Sequence, residues 1–188
     1  PSADAVITDP VWPNAPEGMF PGVHAKRELR KALRMLPGLT RAVIQLGHNS
    51  DPRFLRAVPA RLPFLRGGSM EYAMPGRRGR TLGGHEYAYA FVSYIKSVRG
   101  RPGPCQTRGG GEHPGPRPQE WVDWLVNWWS DPGETVVDPF MGSGTSAVAA
   151  LTHGRHYFGC EINQQYFDAA CRRVEDYLRH RTEPMFAP

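Results

Sequence analysis

At 188 residues and 40% hydrophobic content, the chain has the size and apolar fraction of one compact domain with a core of its own. Its net charge of +5 favours a polyanionic partner, and no run approaches the roughly 18 apolar residues that a helix needs to span a membrane. Three scattered cysteines, Cys105, Cys160 and Cys171, argue against a disulfide framework, imply no zinc or other metal site and fit a reducing, cytoplasmic setting. The chain opens on Pro1 without an initiator Met or a signal-like segment, which reads as processing or a trimmed N-terminus.

In chain order, residues 3–8 read as a short buried strand ending at Asp9-Pro10. Leu29, Leu33 and Leu36, with basic residues between them, predict a surface helix over 24–36 that Pro37-Gly38 stops. Thr40 to Leu46 is an apolar strand, and residues 50–84 are mixed, with a basic, turn-rich loop from Pro75 to Gly84. His85 to Ile95, rich in Tyr, Phe and Val, predicts another strand. The Gly/Pro-rich stretch 97–116 predicts a mobile loop. Gln119 to Trp129 predicts a helix with Trp121, Trp124, Leu125 and Trp128 on one core-facing side. Then come a strand (Thr135 to Phe140), a Gly-rich turn (Met141 to Thr145), a helix (Ser146 to His153), a strand (His156 to Cys160) ending at Glu161, and a long amphipathic helix (Gln164 to Arg179). That βαβα run predicts an α/β fold with a parallel sheet and right-handed crossovers.

A Gly-rich turn between a strand and a helix places small residues where a ligand must approach the backbone. Gly142 and Gly144 supply the turn, and Glu161 at the end of the next strand can accept both hydroxyls of a ribose. The pattern means a nucleoside-containing cofactor. No Lys follows the turn, which disfavours a phosphate-binding P-loop, and two glycines fall short of the three-Gly dinucleotide fingerprint.

Asp138-Pro139-Phe140-Met141-Gly142-Ser143-Gly144-Thr145 resembles the DPFxGSGT cofactor motif of DNA amino-methyltransferases. Gly159-Cys160-Glu161-Ile162, followed by Tyr166, Ala170 and Arg173, resembles that family's next segment. His113-Pro114-Gly115-Pro116-Arg117-Pro118 is similar to its HPxxKP element, with Arg for Lys, and Thr8-Asp9-Pro10-Val11-Trp12 resembles its catalytic TDPPY, with Val11 in place of the second Pro. The catalytic motif first and the cofactor motif last is the order of the permuted β group.

The resemblance implies a Rossmann-like S-adenosyl-L-methionine-dependent methyltransferase fold: one domain over 1–188, with a mostly parallel central sheet and helices on both faces. Its catalytic half would be 1–96, a basic loop 97–112, and its cofactor half 113–188. The implied cofactor residues are His113, Arg117, Asp138, Phe140, Gly142, Ser143, Gly144, Thr145 and Glu161. The implied reaction methylates the exocyclic amino group of a flipped base. Asp9 and the Pro10 carbonyl would accept hydrogen bonds from the amine, and Trp12 would stack on the base. Asp at the first catalytic position leans toward adenine N6 over cytosine N4. The competing readings are a non-catalytic nucleic-acid-binding module that keeps this fold, and an RNA methyltransferase.

The implied partner is double-stranded DNA, in a bacterial or phage-encoded modification system. Arg77, Arg78, Arg80, Arg99, Arg101 and Arg108 lie in Gly/Pro-rich segments and are the candidate phosphate and base contacts. The interval 97–112 is too short for a folded recognition domain. That predicts a short or relaxed target sequence, or help from a second copy in a homodimer. Pro104-Cys105-Gln106 resembles the nucleophile motif of cytosine-C5 methyltransferases. It precedes the cofactor strand, however, and no strand leads into it, so no nucleophilic role is assigned to Cys105.

Overall fold

The computed structural model describes residues 2–11, 24–47, 50–78, 81–95, 108–109 and 118–182. Its strands are β1 (Ala5–Thr8), β2 (Arg41–Gly47), β3 (Phe64–Arg78), β4 (Thr81–Val92), β5 (Arg108–Gly109), β6 (Thr135–Asp138) and β7 (His156–Gly159). Its helices are α1 (Ala25–Arg34), α2 (Gln119–Trp129), α3 (Thr145–Thr152) and α4 (Gln164–Thr182), with a 3-10 turn at Pro52–Ala57. The strands form one sheet in the order β5-β3-β4-β2-β1-β6-β7. β1 pairs in parallel with β2 on one side and β6 on the other, β6 pairs in parallel with β7, and β4 runs antiparallel between β2 and β3. The two sequence halves therefore meet inside one sheet, at the β1–β6 seam. This is the α/β, mostly parallel architecture that the resemblance implies, and the βαβα run supplies its parallel β6–β7 edge.

Period-2 alternation sends the strand side chains to two cores. Ile7, Val43, Ala88, Ala90 and Val136 pack under α2 and α3 with Trp121, Leu125, Trp129, Ala149 and Ala150. Val6, Ala42, Ile44, Leu46 and Val137 pack on the other face under α1 and the 3-10 turn, with Leu29, Leu33 and Phe54. Helices thus cover both faces. On α2, Trp121 and Leu125 are fully buried as expected, and Trp129 joins them. Trp124 lies across β3, with ring atoms only 3.1 Å from where a Cβ on Gly68 would sit, so that strand position takes glycine.

The predicted loop over Pro75 to Gly84 is a correction. β3 runs on to Arg78 and β4 starts at Thr81, with Gly76↔Gly83, Arg77↔Leu82 and Arg78↔Thr81 paired. Gly and Pro there read as turn residues, but cross-strand pairing overrides their propensity. The register shifts between Glu71 and Gly76, and such an irregularity is where a strand tolerates proline. The predicted loop over 97–116 also needs correcting at one point. Arg108–Gly109 pairs in parallel with Glu71 and Tyr72 of β3 as a short edge strand.

Candidate active site at the carboxyl ends of β1 and β6

From the β1–β6 seam the chain winds outward in both directions, through α1 to β2 and through α3 to β7. Such a switch point leaves a crevice beyond the strand ends, where open α/β sheets bind ligands. The Asp9-Pro10 segment leaves β1 at this point and the Asp138–Thr145 turn leaves β6 beside it.

The turn is shaped by its glycines. Gly142 and Gly144 have φ of 52° and 78°, a left-handed region that costs glycine nothing. Gly144 has a second reason: a Cβ on it would lie 3.0 Å from Cβ and 3.2 Å from Cα of Ala170 in α4. Ala170 and Gly144 are thus a matched close contact between two motifs. The Met141 amide donates to the Cys160 carbonyl (2.9 Å), which ties the turn to the end of β7.

Glu161 sits at the rim. Its Oε2 accepts from the Gly142 amide and its Oε1 from the Asn163 amide, both at 2.9 Å. Each carboxylate oxygen keeps lone-pair capacity for a further donor. Asn163 caps α4, its Oδ1 accepting from the Gln165 and Tyr166 amides. Between them Ile162 is 95% exposed, an apolar side chain beside an anionic hydrogen-bond acceptor.

Asp138 is buried, 4% exposed. Its Oδ1 accepts from the Thr8 hydroxyl at 2.6 Å and from the Phe140 amide at 3.0 Å, and its Oδ2 accepts from the Ser146 hydroxyl at 2.5 Å. Burial raises its pKa to about 6, against the lowering effect of these donors and with a smaller raising contribution from the Asp9 charge. The Ser146 hydroxyl also lies 3.0 Å from the Tyr157 hydroxyl, whose pKa burial pushes well above the usual phenol range.

Thr145, 6% exposed, turns its hydroxyl toward Arg173, whose guanidinium donates to Thr145 Oγ1 (3.0 Å) and Gln119 Oε1 (2.9 Å). Gln119 in turn donates to the Thr145 carbonyl at 3.2 Å. Arg173 thus braces the start of α3 against α2. The sequence marks Arg173 as a motif residue but does not disclose this brace, because Gln119 carries no local signal.

Of the residues singled out in the sequence, Asp9, Pro10, Asp138, Phe140, Gly142, Ser143, Gly144, Thr145 and Glu161 all fall at these strand ends and turns. Asp9 is half-buried and Pro10 buried, while Phe140, Gly142, Ser143 and Glu161 are half-buried at the rim. Asp138 and Thr145 are nearly enclosed. Trp12, Arg80, Arg99, Arg101, His113 and Arg117 lie outside the described residues. Arg77 and Arg78 end β3, and Arg108 lies on β5. Among the described residues no cluster of three potential metal ligands occurs, and no helix is long and apolar enough to cross a membrane.

A doubly wound sheet with a two-glycine turn at its switch point and an acidic residue closing the next strand defines a nucleoside-cofactor domain. The DNA methylase family model N6_N4_Mtase matches residues 66–172, more than half of the chain, and the chain belongs to that family. The matched span contains the turn and Glu161 but not Asp9. Among curated proteins the chain is 40% identical over 67 residues to the orphan methyltransferase M.BamHII of Bacillus amyloliquefaciens, covering 36% of this chain and 25% of that one. It is 34% identical over 94 residues to the putative methylase YubD of Escherichia coli K12, covering 48% and 41%. The matches thus span less than half the length of these relatives. Among solved structures, an M1.HpyAVI complex with SAM superposes with a TM-score of 0.69 at 22% identity, covering 92% of this chain and 89% of that one. The cytosine-N4-specific PvuII DNA methyltransferase superposes with a TM-score of 0.65 at 15% identity, covering 95% and 85%. At these identities the superpositions establish the fold.

Proposed function

We propose that this chain transfers a methyl group from S-adenosyl-L-methionine to the exocyclic amino group of a base in duplex DNA, adenine N6 in preference to cytosine N4. The observation that carries the reading is the direct bond between the two motif strands, Thr8 to Asp138. It brings the Asp9-Pro10 segment, next in the chain, against the glycine turn.

The residues present fit the cofactor. The positive-φ glycines open the backbone at the turn, Glu161 offers acceptor capacity for ribose hydroxyls, and exposed Ile162 offers an apolar surface for the face of a purine. When bound, S-adenosylmethionine supplies a methyl carbon on a sulfonium, whose C–S bond breaks as the amine nitrogen forms the new N–C bond. An exocyclic amine is a poor nucleophile because its lone pair is delocalised into the ring. Asp9 and the Pro10 carbonyl accept hydrogen bonds from its two N–H groups and so return the lone pair to nitrogen. The proton shed after transfer passes to Asp9 or to water. Trp12 supplies the stacking surface for the flipped base. His113 and Arg117 are assigned to the methionine end of the cofactor. Asp138 and Thr145 shape the turn from within.

DNA is assigned to the basic residues Arg77, Arg78, Arg80, Arg99, Arg101 and Arg108. Their binding would be strongly salt-dependent, because arginines that meet phosphates release counterions. Homodimerisation is proposed as the means of supplying further base contacts to so short a recognition interval.

The test is transfer of labelled methyl from S-adenosylmethionine to duplex DNA, single-stranded DNA and RNA, with the product nucleoside resolved. Label in N6-methyladenine of duplex DNA is the expected result. N4-methylcytosine would correct the base, and preference for RNA would correct the substrate. No transfer to any acceptor, with the cofactor bound, would support the non-catalytic alternative that Val11 suggests.

A further inference from the structure

We propose that Thr8 is a positioning residue for methyl transfer: through its bond to Asp138 it sets the catalytic segment in register with the cofactor turn. The inference rests on the methyltransferase reading above.

The β1–β6 ladder pairs Ala5↔Val136 and Val6↔Val137, with the Asp4 amide donating to the Thr135 carbonyl ahead of it. Beyond that, the 2.6 Å bond from Thr8 Oγ1 to Asp138 Oδ1 ties the two strand ends through their side chains. Both residues are buried, Thr8 at 0% and Asp138 at 4% exposure. Each stands at the last position of its strand and is the first residue of the motif that the strand carries. A buried valine would fill the position of Thr8 as well and would raise no desolvation cost. The hydroxyl is therefore informative. It spends its hydrogen on a carboxylate rather than on the carbonyl of its own strand.

The carboxylate in turn organises three elements. It takes Thr8 from β1, the Phe140 amide from the turn, and Ser146 from α3. Bonds to an ionised acceptor are roughly twice as strong as neutral ones, so the clamp is tightest when Asp138 is charged. The titratable groups facing it are Asp9, which follows β1, and Tyr157 from β7, with Cys160 beside Tyr157. Protonation would place a hydrogen on one carboxylate oxygen. Ser146 can accept it by turning its own hydrogen toward the Tyr157 oxygen, 3.0 Å away. The bond from Thr8 then becomes a neutral one and the two strand ends are held more loosely. Activity should accordingly fall as the pH drops through about 6.

The experiment compares wild type, Thr8→Val, Thr8→Ala and Thr8→Ser in steady-state methylation across pH, with calorimetric titration of S-adenosylmethionine. Thr8→Val should lower kcat roughly ten- to a hundredfold, the size of a misplacement effect, while cofactor affinity changes little. Valine has no hydroxyl bond for protonation of Asp138 to weaken, so the acid limb near pH 6 should flatten in this variant. Thr8→Ser should restore both kcat and the limb. Wild-type kcat in Thr8→Val overturns the proposal, as does an acid limb as steep as that of wild type. If neither Thr8→Val nor Thr8→Ala folds while Thr8→Ser does, Thr8 serves stability and positioning is overturned. Absence of methylation by wild type under every condition strikes the methyltransferase reading instead, and is read from that arm alone.

Discussion

At the amino end of the parallel strands Arg41 is 6% exposed and lies against Glu134, with guanidinium nitrogens 2.8 and 2.6 Å from the two carboxylate oxygens and a further bond to the Trp129 carbonyl. Arg155, 5% exposed, donates to the Ser130 hydroxyl and to the Ser130 and His153 carbonyls. At the carboxyl end Asp138 is just as buried, yet among the described residues it is met by two hydroxyls and one amide and by no cation. At the first end the buried Arg41 charge is neutralised by the opposite charge of Glu134. The second leaves a carboxylate solvated by dipoles alone, and its pKa rises. Uncompensated burial of this kind is costly, so its persistence beside a ligand crevice points to function rather than to folding.

The comparison breaks first at the reacting groups. Asp9→Ala should reduce methyl transfer by about a thousandfold, of the order seen when a group acting only in the transition state is removed, and leave cofactor binding largely intact. Radiolabel incorporation and calorimetry measured side by side check this. Retained transfer in Asp9→Ala would move the chemistry away from the end of β1.

At the opposite end Arg41→Met should cost about 1–3 kcal/mol of stability, because it takes two charged hydrogen bonds from the Glu134 carboxylate, which keeps the Asp131 amide. Urea unfolding measures it. Methylation per folded molecule should be unchanged, which separates a folding charge from a working one.

Much of this layout is legible in the sequence. β1, α1, β2, α2 and the β6–α3–β7–α4 run come out where periodicity, Pro-Gly stops and glycine turns place them, because each is encoded by neighbours along the chain. Most of β4 comes out as well, since His85 to Ile95 predicts a strand, but β3 does not. Its residues read as mixed, with Pro75 and Gly76 speaking for a turn, and only the register with β4, the Trp124 ring over Gly68 and the shift after Glu71 make a strand of them. The site divides in the same way. Gly142, Gly144 and Glu161 announce themselves as a motif. The bond from Thr8 to Asp138 joins residues 130 apart, and the brace from Arg173 to Gln119 joins residues 54 apart. No local pattern carries either one.

Glu161→Ala sharpens the comparison at the rim. Removing the acceptor for the ribose hydroxyls should weaken S-adenosylmethionine binding by about 2–4 kcal/mol, the cost of losing two bonds to a charged group. Part of that loss would come through the turn, since Gly142 and Asn163 both donate to this carboxylate. Calorimetric affinity equal to wild type would remove Glu161 from the cofactor site.

Asp138→Asn tests the uncompensated charge itself. An acid whose pKa is raised on folding binds its proton more tightly in the native state. Its contribution to stability is therefore fully present below the unfolded value of 3.8 and is lost as the pH rises through about 6. At neutral pH the ionised carboxylate accordingly costs the fold up to about 3 kcal/mol, since a tenfold difference in proton affinity between the folded and unfolded chain is worth about 1.4 kcal/mol. Asparagine cannot ionise. Its oxygen can still accept from Thr8 and Phe140, and its amide can donate to Ser146, which passes its own hydrogen to Tyr157. The variant should thus be more stable than wild type at pH 7.5, by about 1–3 kcal/mol once the changed hydrogen bonds are allowed for, and the gap should close toward pH 4. Its methylation should be slower, with the acid limb near pH 6 abolished, because the clamp on Thr8 is then neutral at every pH. Paired urea titrations at pH 4 and 7.5 decide the stability half. A variant less stable than wild type at both would mean that the three donors at Asp138 outweigh its desolvation, and that the two ends of the sheet handle buried charge alike.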